Sequence, residues 1–436
     1  MKEVLTHKIL PALLFGASVL SLNLAYAEEA AAPATKLSLS SGDVERRLNI
    51  LSEEIEKLRS GEGTGTEPSI KSGLGPAAGK VYSQKKGVSL AGYGEMLYEN
   101  FAALNDDGSA SDKTDQIDLQ KEVLYLGYKF SDDLLFNSEL EFEHGSTEHG
   151  GAVSVEFAYV DYLLNSNLNL RSGMLLVPLG IINEIHEPPT FYSVRKPNVE
   201  NSIIPATWSA NGAGLFGNLS DQIRYALYMT ESLKATGNFT SEGIREGRQG
   251  GAEALATNFA LSGRLDYEWA PGSVTGVSFF NGGTSQGQIA GTNANLLLWD
   301  VHGRLKKGPW ELRGLYASTS ISDVALINAA NGYTGNQSVG SSQYGWYAEA
   351  AYDVLPLLAK NSEQALVGFV RYEALNTQAA VPAGFSADPA NDRRYWVYGL
   401  SYLPLPNVTF KIDYQNESKG DNTGNDVWRL ATTYMF

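Results

Sequence analysis

The chain has no cysteine, so disulfides cannot be what holds it together. Past residue 27 it has no run of about 18 apolar residues, so no helix is expected to cross a membrane. Basic residues are in short supply: 33 Lys and Arg stand against 49 Asp and Glu, a net charge of −16. That balance disfavours a nucleic-acid partner. The five histidines fall in no recognised hydrolase motif, and no nucleophile–base–orienter set is evident, so the chain is not expected to be an enzyme. Glu143, His144 and His149 could approach a metal, but a solvated His-Gly loop is the simpler reading, and neither metal nor cofactor is expected. Glycine and tyrosine, by contrast, are plentiful at 45 and 23, with a mean hydropathy of −0.20. That suits strands whose inward half is polar and argues against a hydrophobic helical membrane protein.

The first 27 residues read as a secretory signal peptide. Lys2 and Lys8 give a basic start, an apolar stretch follows, and Ala25-Tyr26-Ala27 make a small-residue cleavage site. Residues 28–42 read as a disordered N-terminus. Over 43–60, Val44, Leu48, Leu51, Ile55 and Leu58 step by four and three, the a/d spacing of a short coiled coil. That helix is either an oligomerisation element or an amphipathic helix packed on something else. Residues 61–87 are rich in Gly, Ser, Lys and Pro and read as a flexible linker.

From residue 88 to 436 the sequence alternates strand and turn. About 16 strand candidates follow one another, an even number as single-chain bacterial barrels require. Alternate connections are short, such as Ser131-Asp132-Asp133 and Lys307-Gly308, while those between are long, polar and Gly-rich. Short turns on one rim and long loops on the other is the asymmetry of an outer-membrane barrel. The fold class expected is therefore all-β, a transmembrane antiparallel β-barrel. The implied location is the bacterial outer membrane with the N-terminal segment in the periplasm.

The faces sort in the same sense. Leu134, Phe136, Leu140 and Phe142 oppose Asn137, Glu139, Glu141 and Glu143, and Leu297, Trp299 and Val301 oppose Asp300, His302 and Arg304. Apolar residues toward lipid and charges toward the lumen imply a wet interior, since a charge facing mid-bilayer costs about 2–4 kcal/mol. In the last strand Trp428, Leu430, Tyr434 and Phe436 share the outward face and Arg429 the inward one. A terminal Phe resembles the sorting signal that the barrel assembly machinery reads. Two strands, Gly212–Leu219 and Ser273–Asn281, can be phased either way, and Ile117–Leu119 suggests a bulge.

The connection over 178–211 carries five prolines together with Ile181, Ile182, Ile185, Phe191, Tyr192, Ile203 and Ile204, more apolar surface than a solvated loop needs. One reading folds it into the barrel as an eyelet of Glu184, His186, Glu187, Arg195, Lys196 and Glu200. The other leaves it outside as a cap or subunit contact. Across the lumen, Arg171, Arg224, Arg264, Arg304, Lys306 and Arg313 form a basic wall, facing an acidic patch of Glu139, Glu141 and Glu143. Such patches filter ions by sign when they stand apart, or neutralise one another when they pair.

The segments AGYGEMLYENF at 91–101, EFAYVDYLL at 156–164, HEPPTFYSV at 186–194, IIPATW at 203–208, GAGLFG at 212–217, GIREGRQGG at 243–251 and the terminal YMF resemble porins of the phosphate-selective O and P type. The resemblance spans residues 88–436. It implies a 16-stranded barrel, a homotrimer, and passive diffusion of ions and small hydrophilic solutes through each subunit, with a preference for phosphate-like anions. A structural barrel tethering the envelope through its coiled coil is the alternative.

Overall fold

The computed structural model describes residues 73–145, 150–359 and 362–436. The signal peptide, the disordered N-terminus, the coiled coil over 43–60, the linker as far as residue 72, and His149 all lie outside the described residues.

Sixteen strands close into a barrel. In chain order they are β1 (Gly87–Phe101), β2 (Gln116–Lys129), β3 (Leu134–Glu143), β4 (Val153–Leu163), β5 (Asn169–Leu176), β6 (Ser209–Ser220), β7 (Ile223–Glu231) and β8 (Phe259–Ala270). The second half is β9 (Ser273–Gly283), β10 (Asn295–Lys307), β11 (Trp310–Ile321), β12 (Ser342–Asp353), β13 (Ala365–Ala380), β14 (Asp392–Leu405), β15 (Val408–Lys419) and β16 (Val427–Met435). Each pairs antiparallel with its sequence neighbours, and β1 pairs with β16 to close the ring. Closure satisfies every strand edge, which an open sheet in an apolar solvent could not do. The architecture is the all-β antiparallel barrel expected.

Connections alternate as the turn residues suggest. Those at 221–222, 271–272, 308–309 and 406–407 are tight, whereas 177–208, 232–258 and 322–341 are long. Among the described residues four short α-helices sit outside the sheet: α1 (Lys80–Ser83), α2 (Asn198–Ser202), α3 (Val324–Asn331) and α4 (Leu355–Leu358). Among the described residues no helix is long and apolar enough to cross a membrane.

Inward and outward faces alternate along each strand, as a period of two dictates. On β10, Leu297 and Trp299 point outward and are exposed, while Asp300 and His302 are buried inside. The two ambiguous strands are phased with Gly212, Gly214 and Phe216 inward on β6 and Ser278 and Phe280 inward on β9. The suspected bulge on β2 falls at Gln120, because Glu95 pairs with Lys121 and Met96 with Leu119.

Outward aromatic rings run in neighbouring pairs. Trp346, Tyr372 and Trp396 are separated by 5.3 and 4.7 Å near the long-loop rim, and Trp310 and Tyr352 by 4.6 Å near the short-turn rim. The inside is not empty. One apolar cluster joins Val199, Ile203, Ile204 and Trp208 of the 177–208 connection to Phe280, Leu296 and Leu298 of the wall. A second joins Leu74, Ala77 and Ala78, ahead of β1, to Tyr93, Tyr125, Phe157 and Tyr159. Residues 73–83, read from sequence as part of a flexible linker, are thus packed against the inner wall. Their Gly-Ala-Pro composition mimics a linker while their small side chains fit a crowded space.

Candidate functional site

The 177–208 connection lies inside the barrel, and its own side chains fold it there. Asn183 ties the two ends together: its amide donates to the carbonyls of Val177 (2.6 Å) and Trp208 (3.0 Å), and its oxygen accepts the Trp208 N–H (2.6 Å). Glu200 accepts the N–H groups of Ile181 (2.9 Å) and Ile182 (2.7 Å) and the Tyr347 hydroxyl (2.6 Å). Trp208 then packs on Phe280 with ring centroids 4.5 Å apart.

Backbone that leaves a sheet and enters a lumen needs partners for its polar groups. The wall supplies them. Lys411 donates to the carbonyls of Pro188 (2.7 Å) and Ser193 (3.0 Å), Arg313 to that of Thr190 (3.0 Å), and Ser401 to that of Tyr192 (2.6 Å). Asp413 accepts the Val194 N–H at 2.6 Å. From above, Arg245 donates to the carbonyls of Asn201 (3.1 Å) and Ala206 (2.5 Å), and Arg248 to those of Pro205 (3.1 Å) and Thr207. The two arginines of the GIREGRQGG segment, whose task the sequence alone does not show, thus clamp the inserted loop.

The six residues grouped as an eyelet do not converge on one ring. Glu184 pairs with Arg224 (2.9 Å), and Glu200 is spent on folding the loop. His186 pairs with Glu139 at 3.0 Å; burial disfavours its charge, but Glu139 prevails and its pKa is raised. Glu187 accepts the N–H groups of Ala77 (3.0 Å) and Ala78 (2.8 Å). Burial nevertheless dominates and pushes its carboxyl up to about 7. Arg195 forks onto Glu99 (3.1 and 2.8 Å) and reaches the bulged Gln120 (2.6 Å). Lys196 is pulled down to about 7, first by burial and then by the neighbouring Lys121 ammonium.

The basic wall is a ladder of pairs rather than a free cationic surface. Arg171 meets Asp161 at 2.9 Å, Arg224 and Arg264 share Asp266 at 2.7 and 2.8 Å, and Arg304 and Arg313 share Glu311 at 3.0 and 2.5 Å. The ladder continues beyond the residues expected, through Arg371 with Glu349 (3.0 Å) and Glu373 (2.9 Å). Lys306 lies exposed toward the short-turn rim. On the acidic side, Glu141 takes Lys121 at 2.6 Å and Glu143 stands 3.9 Å from it. Segregated patches with a field between them are therefore not what the wall presents. Some pairs lie within one strand at i and i+2, as Arg264 with Asp266, Arg313 with Glu311 and Arg371 with Glu373, while others, such as Arg171 with Asp161 and Arg224 with Asp266, cross between strands and depend on register. His144 pairs with Asp118 at 2.7 Å, and no metal-holding cluster occurs among the described residues.

Beside this ladder a cavity of about 50 Å³ is lined by Glu95, Lys121, His186, Phe191, Arg195 and Lys196 together with Tyr93, Gln120, Pro188 and Val194. Glu95 and Lys121 were not singled out from sequence; their inward parity was the available signal. At the seam, Phe436 exchanges backbone hydrogen bonds with Gly92 (2.9 and 3.1 Å). Trp428, Leu430 and Phe436 are exposed on the outer face, and Tyr434 donates its hydroxyl to the outward carboxylate of Glu122 at 2.5 Å.

No family model matches the chain. Among solved structures, the outer membrane channel DcaP of Acinetobacter baumannii superposes with a TM-score of 0.53 at 12% identity, over 80% of this chain and 97% of its own. The anion-selective porin from Comamonas acidovorans gives 0.51 at 12% identity, over 80% and 99%. At such identities the likeness is one of fold. A protein of Aquifex aeolicus (strain VF5), described as uncharacterized, is 39% identical over 374 residues, covering 84% of this chain and 83% of its own length. The chain belongs to the family of that Aquifex aeolicus protein.

Proposed function

We propose that the chain is an outer-membrane porin, a channel rather than an enzyme, through which ions and small hydrophilic solutes diffuse. One observation carries the reading: a closed barrel apolar outside and lined inside by charged side chains, from Glu99 on β1 round to Arg429 on β16. A soluble barrel would invert that arrangement. Outward aromatic pairs near both rims fit two membrane interfaces, and the solved channels named above share the fold. The 177–208 connection is the constriction in this reading, with Arg195, Lys196 and Lys121 lining the cavity described above. Arg195 and Lys121, joined by Lys196 when it is protonated, are what supports an anion or phosphate preference, against Glu95, Glu99 and Glu141 on the same side. Assembly as a homotrimer, with the 43–60 helix in the periplasm, completes the proposal.

The test is single-channel recording in planar bilayers, with the reversal potential measured across a salt gradient and repeated in phosphate. An anion-directed reversal potential with phosphate block is expected. Cation preference without block would remove the phosphate preference, and absence of channels would remove the porin reading.

A further inference from the structure

Residues 73–83 precede β1 and enter the barrel at its short-turn mouth. Leu74, Ala77, Ala78 and Val81 are 2%, 5%, 3% and 1% exposed. Side chains from four separate elements hold the segment. Glu187, on the inserted loop, accepts two of its N–H groups, and Asn137 of β3 donates to the Ala78 carbonyl at 2.9 Å. Tyr82 donates its hydroxyl to Asp161 (2.6 Å) and accepts from Arg171 (2.8 Å).

The fit is steric as well as polar. A Cβ placed on Gly127 of β2 would lie 2.6 Å from a methyl carbon of Val81. One on Gly75 would lie 2.5 Å from the Glu187 carboxyl carbon. The wall therefore omits a side chain where the segment fills the space, and the segment omits one where the inserted loop does. Under the segment runs an aromatic ladder, Tyr93, Tyr125, Phe157 and Tyr159, with successive ring centroids 6.0, 5.9 and 5.3 Å apart. The Tyr125 hydroxyl is buried there without a hydrogen-bond partner among the described residues. Contact with water would remove that penalty, so seating carries a built-in bias toward release.

We propose that residues 73–83 are a plug that closes the short-turn mouth, and that solute crosses when the plug withdraws from Glu187, Asn137 and Gly127. The proposal rests on the porin reading. Leu74, Val81 and Tyr82 are the main bulk that seats it; glycine and alanine make up most of the rest. Such a segment has little apolar surface to hold it permanently, and its anchors are a few hydrogen bonds. Reversible closure follows from that balance.

Two measurements on the full chain test this. First, Ala78→Cys with Asn137→Cys: the native chain has no cysteine, so a disulfide formed with a mild oxidant in membranes reports the plug against β3, where the Asn137 amide meets the Ala78 carbonyl. Bond formation is expected, and failure to form it overturns the seated plug. Secondly, Leu74–Ser83 is replaced by a Gly-Ser run of equal length and compared with wild type in bilayers. A several-fold rise in open time or conductance is expected, and the oxidised cysteine pair should hold the channel shut until reductant is added. Equal, non-zero conductance in wild type, replacement and oxidised pair overturns the plug and leaves the porin intact. Silence in all three overturns both.

Discussion

Asp161 and Arg171 face each other on β4 and β5, both almost wholly buried, with the guanidinium carbon 4.1 Å from the Tyr159 ring centre. Removing the carboxylate strands a buried cation that cannot reach water. Asp161→Ala should therefore cost about 3–5 kcal/mol, read as a lowered midpoint in urea unfolding, whereas Asp133→Ala in an exposed turn should cost almost nothing. Glu187 makes a different point. Its carboxyl sits near 7 in the seated state because burial disfavours the charge, and returns toward its ordinary range once the plug leaves and water enters. A raised acid favours the state that raises it when protonated. Its contribution to seating is thus complete below about pH 4.5 and is lost as pH rises through 7. Channel open probability should fall from pH 8 to pH 5 and become flat in Glu187→Gln. The pair formed by His186 and Glu139, with Tyr93 and Tyr125, faces the same carboxyl. A pH response surviving in Glu187→Gln would assign it to that pair instead.

Among elements, the strands were open to sequence reading and the segment ahead of β1 was not. Leu297, Trp299 and Val301 against Asp300, His302 and Arg304 already state which side carries charge, because strand parity is a local property. One partner of Arg371 is another matter: Glu373 sits two residues on in the same strand, but Glu349 lies 22 residues away on the neighbouring strand and depends on register. The plug was hidden for a further reason. Its fit is written partly in Gly127 and Glu187, far along the chain, while its own composition reads as a tether. The proline-aromatic loop stood out through apolar residues a solvated loop would not carry, but which acids would fold it and which would face the cavity depended on contacts with Tyr347, Arg224 and Ala77. The clamp on that loop gives a prediction. Arg245 and Arg248 end on its carbonyl oxygens, so replacing both with alanine leaves four acceptors short of partners. Noisier current and more frequent sub-conductance steps are expected in single-channel records, with the barrel's urea midpoint little changed.

For the whole molecule, the outward belt decides where the barrel can live. Leu400, near the middle of β14, is 47% exposed. Leu400→Arg should destabilise the barrel by about 2–4 kcal/mol in bilayers, measured by reversible unfolding in vesicles, whereas Ser401→Arg on the inner face would instead collide with the loop at Tyr192. Glu99 acts at the same scale. It takes Arg195 from the inserted loop and Arg429 from the final strand, 330 residues further on. A ring closed over an empty interior would leave that carboxylate half matched, and so would a filled interior with the ring still open. Sealing the wall and accepting its contents are thereby joined in a single inspection, made when the last strand arrives, and a barrel with its loop astray carries its fault at the seam.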